Sequence, residues 1–223
     1  MGNLRSVSKA LEAQGARVLV SSRPGAFRRA DGVVLPGVGA FREAMKRLRG
    51  LGLEKPVREW VEARRPFLGI CLGYQLLFGE SSEFGRSRGL GIFRGKVVRF
   101  PRGLAVPHMG WNSIVPRSGS WLFRGLPRKP WVYFVHSYFP VPRDGRIVAS
   151  RTGYGKPFAS AIEDGQVAAM QFHPEKSQKT GLRILRNFVE MVAKFPSSPS
   201  PLPPRRGERI RERRAALSRR RRS

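Results

Sequence analysis

The sequence predicts an α/β fold, an open and mostly parallel twisted sheet flanked by helices, with antiparallel additions toward its C-terminal end. Three features predict it. Short apolar runs alternate with amphipathic helical stretches as far as about residue 90, which is the rhythm of a parallel sheet covered by helices. Glycine-rich turns stand at the ends of those runs. Beyond that point strand-like segments follow one another with few helices between them.

Taken in order, Leu4, Val7 and Leu11, with Ala10, repeat at helical spacing, and Gly15 stops that helix before the apolar, strand-like Val18-Leu19-Val20. Val33-Val34-Leu35 reads as a strand broken by Pro36-Gly37-Val38-Gly39, then a helix runs through Ala44 and Leu48. Phe67-Leu68-Gly69-Ile70 reads as a short buried strand entering Cys71 directly. Strands are then expected at Lys96 to Phe100, Trp111 to Val115, Trp131 to Phe139, Arg146 to Ser150, Phe158 to Ile162 and Val167 to Phe172. A hairpin turns across Glu163-Asp164-Gly165. A final helix carries Leu182, Leu185, Val189 and Val192 on one face. No internal repeat is visible.

With 223 residues, 40% of them hydrophobic, the chain is long enough for one sizeable core and too short for two. No apolar run approaches the roughly 18 residues of a membrane span, and Met1-Gly2-Asn3-Leu4-Arg5 lacks a secretory apolar region. One cysteine cannot form an internal disulfide, which points to a reducing compartment or a reactive thiol, and a cytoplasmic location is expected. The formal charge is +28, of which residues 195–223 carry +8 through ten Arg and two Glu. That excess would attract nucleic acid or acidic metabolites non-specifically. Arginine used wherever a solvated charge is needed is the preferred explanation over a nucleic-acid function. One domain is expected over residues 1–194. A Pro/Ser-rich, then Arg-rich, disordered tail is expected over 195–223, because such a segment buries too little apolar surface to offset its ordering entropy.

Three short patterns carry chemistry. Gly69-Ile70-Cys71-Leu72-Gly73 has the glycine-x-nucleophile-x-glycine spacing of an elbow that lifts a thiol to the tip of a sharp strand-to-helix turn. The amide of Leu72 and the positive end of the following helix would face the same space. Phe172-His173-Pro174-Glu175 follows an apolar strand. Positions i and i+2 of an extended segment share a side, so Glu175 could hold one imidazole nitrogen while the other faces the thiol. Pro36-Gly37-Val38-Gly39 could supply a second oxyanion donor from a backbone that glycine lets reorient. Each pattern alone is ordinary core or turn. Three at strand ends, where open parallel sheets place their sites, mark one candidate site built around a nucleophilic thiol. His108 and His136 have no carboxylate within two positions, and three scattered histidines with one cysteine make a poor metal site.

Over roughly residues 2 to 194 the chain resembles class I glutamine amidotransferases, a flavodoxin-like family. Within them it is most similar to the family of glutaminase subunits of imidazole glycerol phosphate synthase. The resemblance rests on Pro36-Gly37-Val38-Gly39-Ala40-Phe41, Gly69-Ile70-Cys71-Leu72-Gly73-Tyr74-Gln75, Met109-Gly110-Trp111-Asn112, Phe134-Val135-His136-Ser137-Tyr138 and His173-Pro174-Glu175-Lys176-Ser177. It implies Cys71 as nucleophile, His173 as base and later acid, and Glu175 as the group orienting His173. It implies an oxyanion site from Leu72 and the Val38-Gly39 turn, and glutamine held by Gln75, Glu83, Ser137 and Tyr138 with Gly39. No cofactor and no metal are implied.

The resemblance also implies a heterodimer with a (β/α)₈-barrel cyclase subunit, contacted at Asn3, Trp111, Tyr133 and Lys176. That partner would use the ammonia in histidine biosynthesis to make imidazole glycerol phosphate and an aminoimidazole carboxamide ribotide. Relatives of this kind carry an apolar strand ahead of the Gly-Asn-Leu stretch. Here that strand is expected to be missing and the reading frame to begin upstream. The glutaminase subunit of pyridoxal phosphate synthase shares the chemistry but is not expected to carry Gly110-Trp111-Asn112. A basic nucleic-acid-binding protein without catalysis would leave the elbow and His-x-Glu unexplained, and a catalytically dead scaffold would keep the fold but not the reaction.

Overall fold

The computed structural model describes residues 2–195, with side chains from Leu4 onward. The expected tail beyond Phe195 and the side chain of Asn3, with its expected contact, lie outside what is described. The helices are α1 (Gly2–Glu12), α2 (Phe41–Gly50), α3 (Glu54–Glu62), α4 (Leu72–Gln75) and α5 (Gln178–Lys194). The strands are β1 (Val33–Gly37), β2 (Phe67–Cys71), β3 (Phe78–Ser81), β4 (Ser87–Arg88), β5 (Phe93–Arg99), β6 (His108–Ser113), β7 (Val115–Pro116), β8 (Trp131–His136), β9 (Tyr138–Pro142), β10 (Val148–Tyr154), β11 (Lys156–Asp164) and β12 (Val167–Met170).

The central sheet runs β1-β2-β12-β11-β10-β7. Its first three strands are parallel, and β11, β10 and β7 add to them antiparallel. The hairpin across Glu163-Asp164-Gly165 pairs Asp164 with Val167 as expected. Side chains alternate between the faces of β2 and β12, which are buried throughout. Leu68, Ile70, Ala168 and Met170 join α1 and α5 through Val7, Leu11, Ile184 and Phe188. Phe67, Val167 and Ala169 join α2 and α3 through Phe41, Met45 and Trp60. No helix among the described residues is long and apolar enough to cross a membrane.

Several expectations need correction. The strand expected from Trp111 to Val115 breaks at Ile114 into β6 and β7, which enter different sheets, and Arg146 and Ile147 lie in a 3-10 turn ahead of β10. Val18-Leu19-Val20 is irregular chain with Leu19 and Val20 exposed, because among the described residues no strand pairs with that run. The expected strand from Trp131 to Phe139 breaks at Ser137, whose carbonyl accepts from Phe100 N, and its halves enter different sheets. In α5 the fully buried face is Ile184, Leu185, Phe188 and Met191, whereas Leu182 is exposed. The helix after Cys71 is a single four-residue turn, so it lacks the aligned peptide dipoles of a longer helix.

Candidate active site

Two parallel ladders converge on the end of β2. The β1 register sets Gly37 opposite Cys71, and the β12 register sets Met170 opposite Ile70. The turn after β1 and the His173 segment after β12 therefore flank Cys71 from either side. Cys71 adopts φ 54°, ψ −108°, a left-handed conformation that a side chain rarely takes. Such a residue costs about 1–3 kcal/mol and persists only where the surroundings over-determine it. Gly73 is part of that enforcement: a Cβ there would penetrate the Leu35 carbonyl, so β1 and α4 touch backbone to backbone.

His173 is 1% exposed. Its Nδ1 lies 2.8 Å from Glu175 Oε1, and both side chains are closed off from solvent. Burial alone would lower the imidazole pKa; hydrogen bonding and charge from Cys71 and Glu175 together overcome it and raise the value to about 9. With Nδ1 committed to Glu175, Nε2 is the nitrogen toward Cys71. Pro174–Lys176 forms a 3-10 turn, so Glu175 reaches the ring by a tight turn and not by the expected extended i, i+2 relation.

A cleft of about 640 Å³ opens over these groups. Its walls bring together Cys71, Leu72, His173, the Val38-Gly39 turn, Gln75, Glu83, Ser137, Tyr138 and Lys176, while Glu175 stands behind His173. Gly39 has φ +94°, where glycine is unstrained and other residues are not. Glu83 Oε2 accepts from Phe41 N at 2.6 Å and so satisfies an open amide at the start of α2, 42 positions away. Gln75 Nε2 donates to Tyr138 O at 2.9 Å and to Gln171 Oε1 at 3.1 Å, so both of its amide hydrogens serve the wall.

Trp111 and Tyr133 do not line the cleft. They pair across β6 and β8 with rings edge-on at 6.2 Å, and Lys176 Nζ stands 5.6 Å from the Tyr133 ring. Trp111, Met109 and Trp131 are exposed there, forming an apolar rim.

Sequence reading missed the contacts of four residues near the site. Gln171 is wholly buried and its Nε2 approaches Cys71 Sγ at 3.7 Å; a lone amide inside the apolar run Val167 to Phe172 was the available signal. His108 and His136 form a buried pair across β6 and β8, Nδ1 to Nε2 3.1 Å. Ser177 Oγ accepts from Tyr133 N at 2.9 Å and donates to His173 O at 2.7 Å.

Residues 5–192 match the family Glutamine amidotransferase class-I. Two curated relatives named imidazole glycerol phosphate synthase subunit HisH are each 52% identical to this chain. The one from Syntrophotalea carbinolica aligns over 86% of this chain and 96% of its own length, and the one from Aquifex aeolicus over 87% and 95%. A third of that name, from Thermosynechococcus vestitus, is 55% identical over 86% and 93%. A crystal structure of a glutamine amidotransferase shares the fold at TM-score 0.65 and 24% identity, covering 85% of this chain and 93% of its own. Another, from Thermotoga maritima, does so at TM-score 0.55 and 20% identity, over 80% and 83%. With a family match across residues 5–192 and relatives more than half identical over most of both chains, the chain belongs to the class-I glutamine amidotransferase family.

Proposed function

We propose that this chain is the glutaminase subunit of an imidazole glycerol phosphate synthase and that Cys71, His173 and Glu175 carry its reaction. Cys71 Sγ attacks the carboxamide carbon of glutamine, and the carbonyl π pair moves to oxygen. The Leu72 amide and an amide of the Val38-Gly39 turn hold that oxyanion. As the tetrahedral centre collapses, the C–N bond breaks and His173 Nε2 delivers its proton to the departing nitrogen, leaving ammonia and a glutamyl thioester. His173 then takes a proton from water, whose oxygen attacks the thioester carbon. Glutamate leaves and the thiolate returns. Glu175 keeps the ring oriented throughout and stabilises its charged form. Glu83, Gln75, Ser137 and Tyr138 hold the amino acid beside the thiol.

The observation that carries this reading is the 2.8 Å His173–Glu175 contact, sealed from water, in a cleft shared with a thiol on a strained elbow. The partner is a (β/α)₈-barrel cyclase, and Trp111, Tyr133 and Lys176 meet it. The exposed Met109, Trp111 and Trp131 give that surface the apolar area such docking requires. Direct transfer also makes chemical sense, since ammonia released to neutral water would be protonated and lose its nucleophilic pair. A lone free thiol suits a reducing cytoplasm.

The test is the Cys71→Ala chain assembled with the cyclase. Glutamine-dependent product formation should vanish while ammonia-dependent formation continues. Full glutamine-supported turnover by that variant would remove Cys71 from the reaction.

A further inference from the structure

We infer that Gln171 is a further catalytic residue, whose side-chain amide nitrogen donates to Cys71 Sγ and is held in that orientation by Gln75, itself fixed by the Tyr138 carbonyl. The inference rests on Cys71 being the nucleophile. Gln171 follows β12 directly, is 0% exposed, and anchors its own N–H on Ser160 O at 2.9 Å. Its two amide ends act oppositely on a thiolate, the nitrogen attracting and the oxygen repelling. Which end faces sulfur therefore matters.

The orientation follows from the Tyr138 carbonyl, which also orders the two histidines and Asn112 on its other side. Tyr138 O can only accept, so His136 Nδ1, 2.9 Å away, carries a proton and His136 Nε2 accepts. His108 Nδ1 therefore donates to it at 3.1 Å, and His108 Nε2 accepts from Asn112 Nδ2 at 3.2 Å. Asn112 spends its other hydrogen on Gly153 O at 3.0 Å. Both rings are neutral, pushed by burial to about 4 for His108 and about 3 for His136. The same Tyr138 carbonyl takes Gln75 Nε2, whose second hydrogen goes to Gln171 Oε1. Gln171 is left with its nitrogen toward the sulfur, 3.7 Å away.

No bond to Gln171 forms or breaks in the reaction. Its N–H lies beside the sulfur both when the thiolate attacks and when the thioester collapses to return it. A hydrogen bond to a charged group has a substantial effect; at this length the expected change is about three- to tenfold.

Cys71 is the only cysteine in the chain, so alkylation by iodoacetamide reads it without background. In the full chain bound to the cyclase, Gln171→Met should be alkylated about three- to tenfold more slowly than wild type at neutral pH. Its kcat for glutamine hydrolysis should fall by a similar factor with KM changed less than about twofold. If Gln171→Met does not fold, Gln75→Met, which frees Gln171 to turn its oxygen toward sulfur, should slow alkylation in the same direction. Alkylation at the wild-type rate in whichever folded variant is measured overturns the inference. That result beside an inactive Cys71→Ala removes Gln171 alone, whereas an active Cys71→Ala removes the nucleophile.

Discussion

His173 and Tyr133 are joined through their backbones: the His173 N–H donates to the Tyr133 carbonyl at 2.9 Å. Ser177 closes the loop from the other side, taking the Tyr133 N–H and giving its hydroxyl to His173 O. The strand whose outer face is the exposed apolar rim is thereby stitched to the imidazole of the cleft. Anything that shifts β8 shifts His173.

Removing the stitch is the direct test. Ser177→Ala removes the partner of the Tyr133 amide and leaves the His173 carbonyl only the Lys176 N–H. Denaturant titration should show a loss of about 1–3 kcal/mol. Glutamine turnover in the assembled synthase should fall with it. Wild-type values for both would mean that the Ser177 bridge is dispensable.

Gly73 has no room for any side chain, since a Cβ would sit 2.8 Å from the Leu35 carbonyl carbon and closer still to its oxygen. Gly73→Ala should cost about 4 kcal/mol or more and sharply reduce soluble protein. Gly69→Ala meets the Ala169 side chain at 2.9 Å and the Gly73 carbonyl at 3.1 Å, so it should destabilise less. Thermal melts of the two variants rank them; the reverse order would show the elbow to be built differently.

Glu175→Gln keeps the shape but removes the charge that helps raise His173 to about 9. The histidine should move back toward its ordinary value, and turnover should drop about a hundredfold or more, within the range for a group that orients and stabilises an imidazolium. His173→Gln should be worse, because it deletes the proton carrier itself. Equal activity in wild type and Glu175→Gln would remove the carboxylate from the mechanism.

Stability should decline on both sides of neutrality, for different histidines. Unfolded histidine titrates near 6.5. As pH falls below that, the unfolded chain binds protons at His108 and His136 that the folded chain resists until about 4 and about 3. Each ring contributes a slope of up to about 1.4 kcal/mol per pH unit. His173 behaves oppositely: its stabilising contribution is complete below about 6.5 and is lost as pH rises through about 9. His108→Gln, which can still donate to His136 and accept from Asn112, should flatten only the acid limb in a denaturation series. An acid limb of unchanged slope would mean that other groups govern it.

Met109 is 61% exposed beside Trp111. A charge placed there, as in Met109→Asp, should weaken association with the cyclase about tenfold or more. It should leave the fold intact, since the side chain packs little at home. Titration calorimetry reads the affinity, and an unchanged value would move the docking surface elsewhere.

Much of the site was legible because its patterns are local. A cysteine between two glycines, a histidine two residues before a glutamate, and a Pro-Gly-x-Gly turn each follow from short-range geometry, and all three occupy strand ends as expected. The reach of the helix after Cys71 was not legible, because α4 ends where β3 must start and only packing sets that length. The single run from Trp131 to Phe139 also concealed a change of sheet, since apolar alternation continues through Ser137 while the pairing partner does not.

Residue order alone determined which groups could do chemistry and the turns that expose them: Cys71 on its elbow, His173 with Glu175, the glycines of residues 37 and 39. The tertiary structure decided what those groups touch. Parallel register set Gly37 opposite Cys71, and packing brought together Gln75 and Gln171, 96 positions apart, and His108 and His136, 28 apart. The physical reason is that a hydrogen bond needs its atoms within about 3 Å and well aligned. Between distant residues that condition depends on strand register and side-chain packing, which no local pattern encodes.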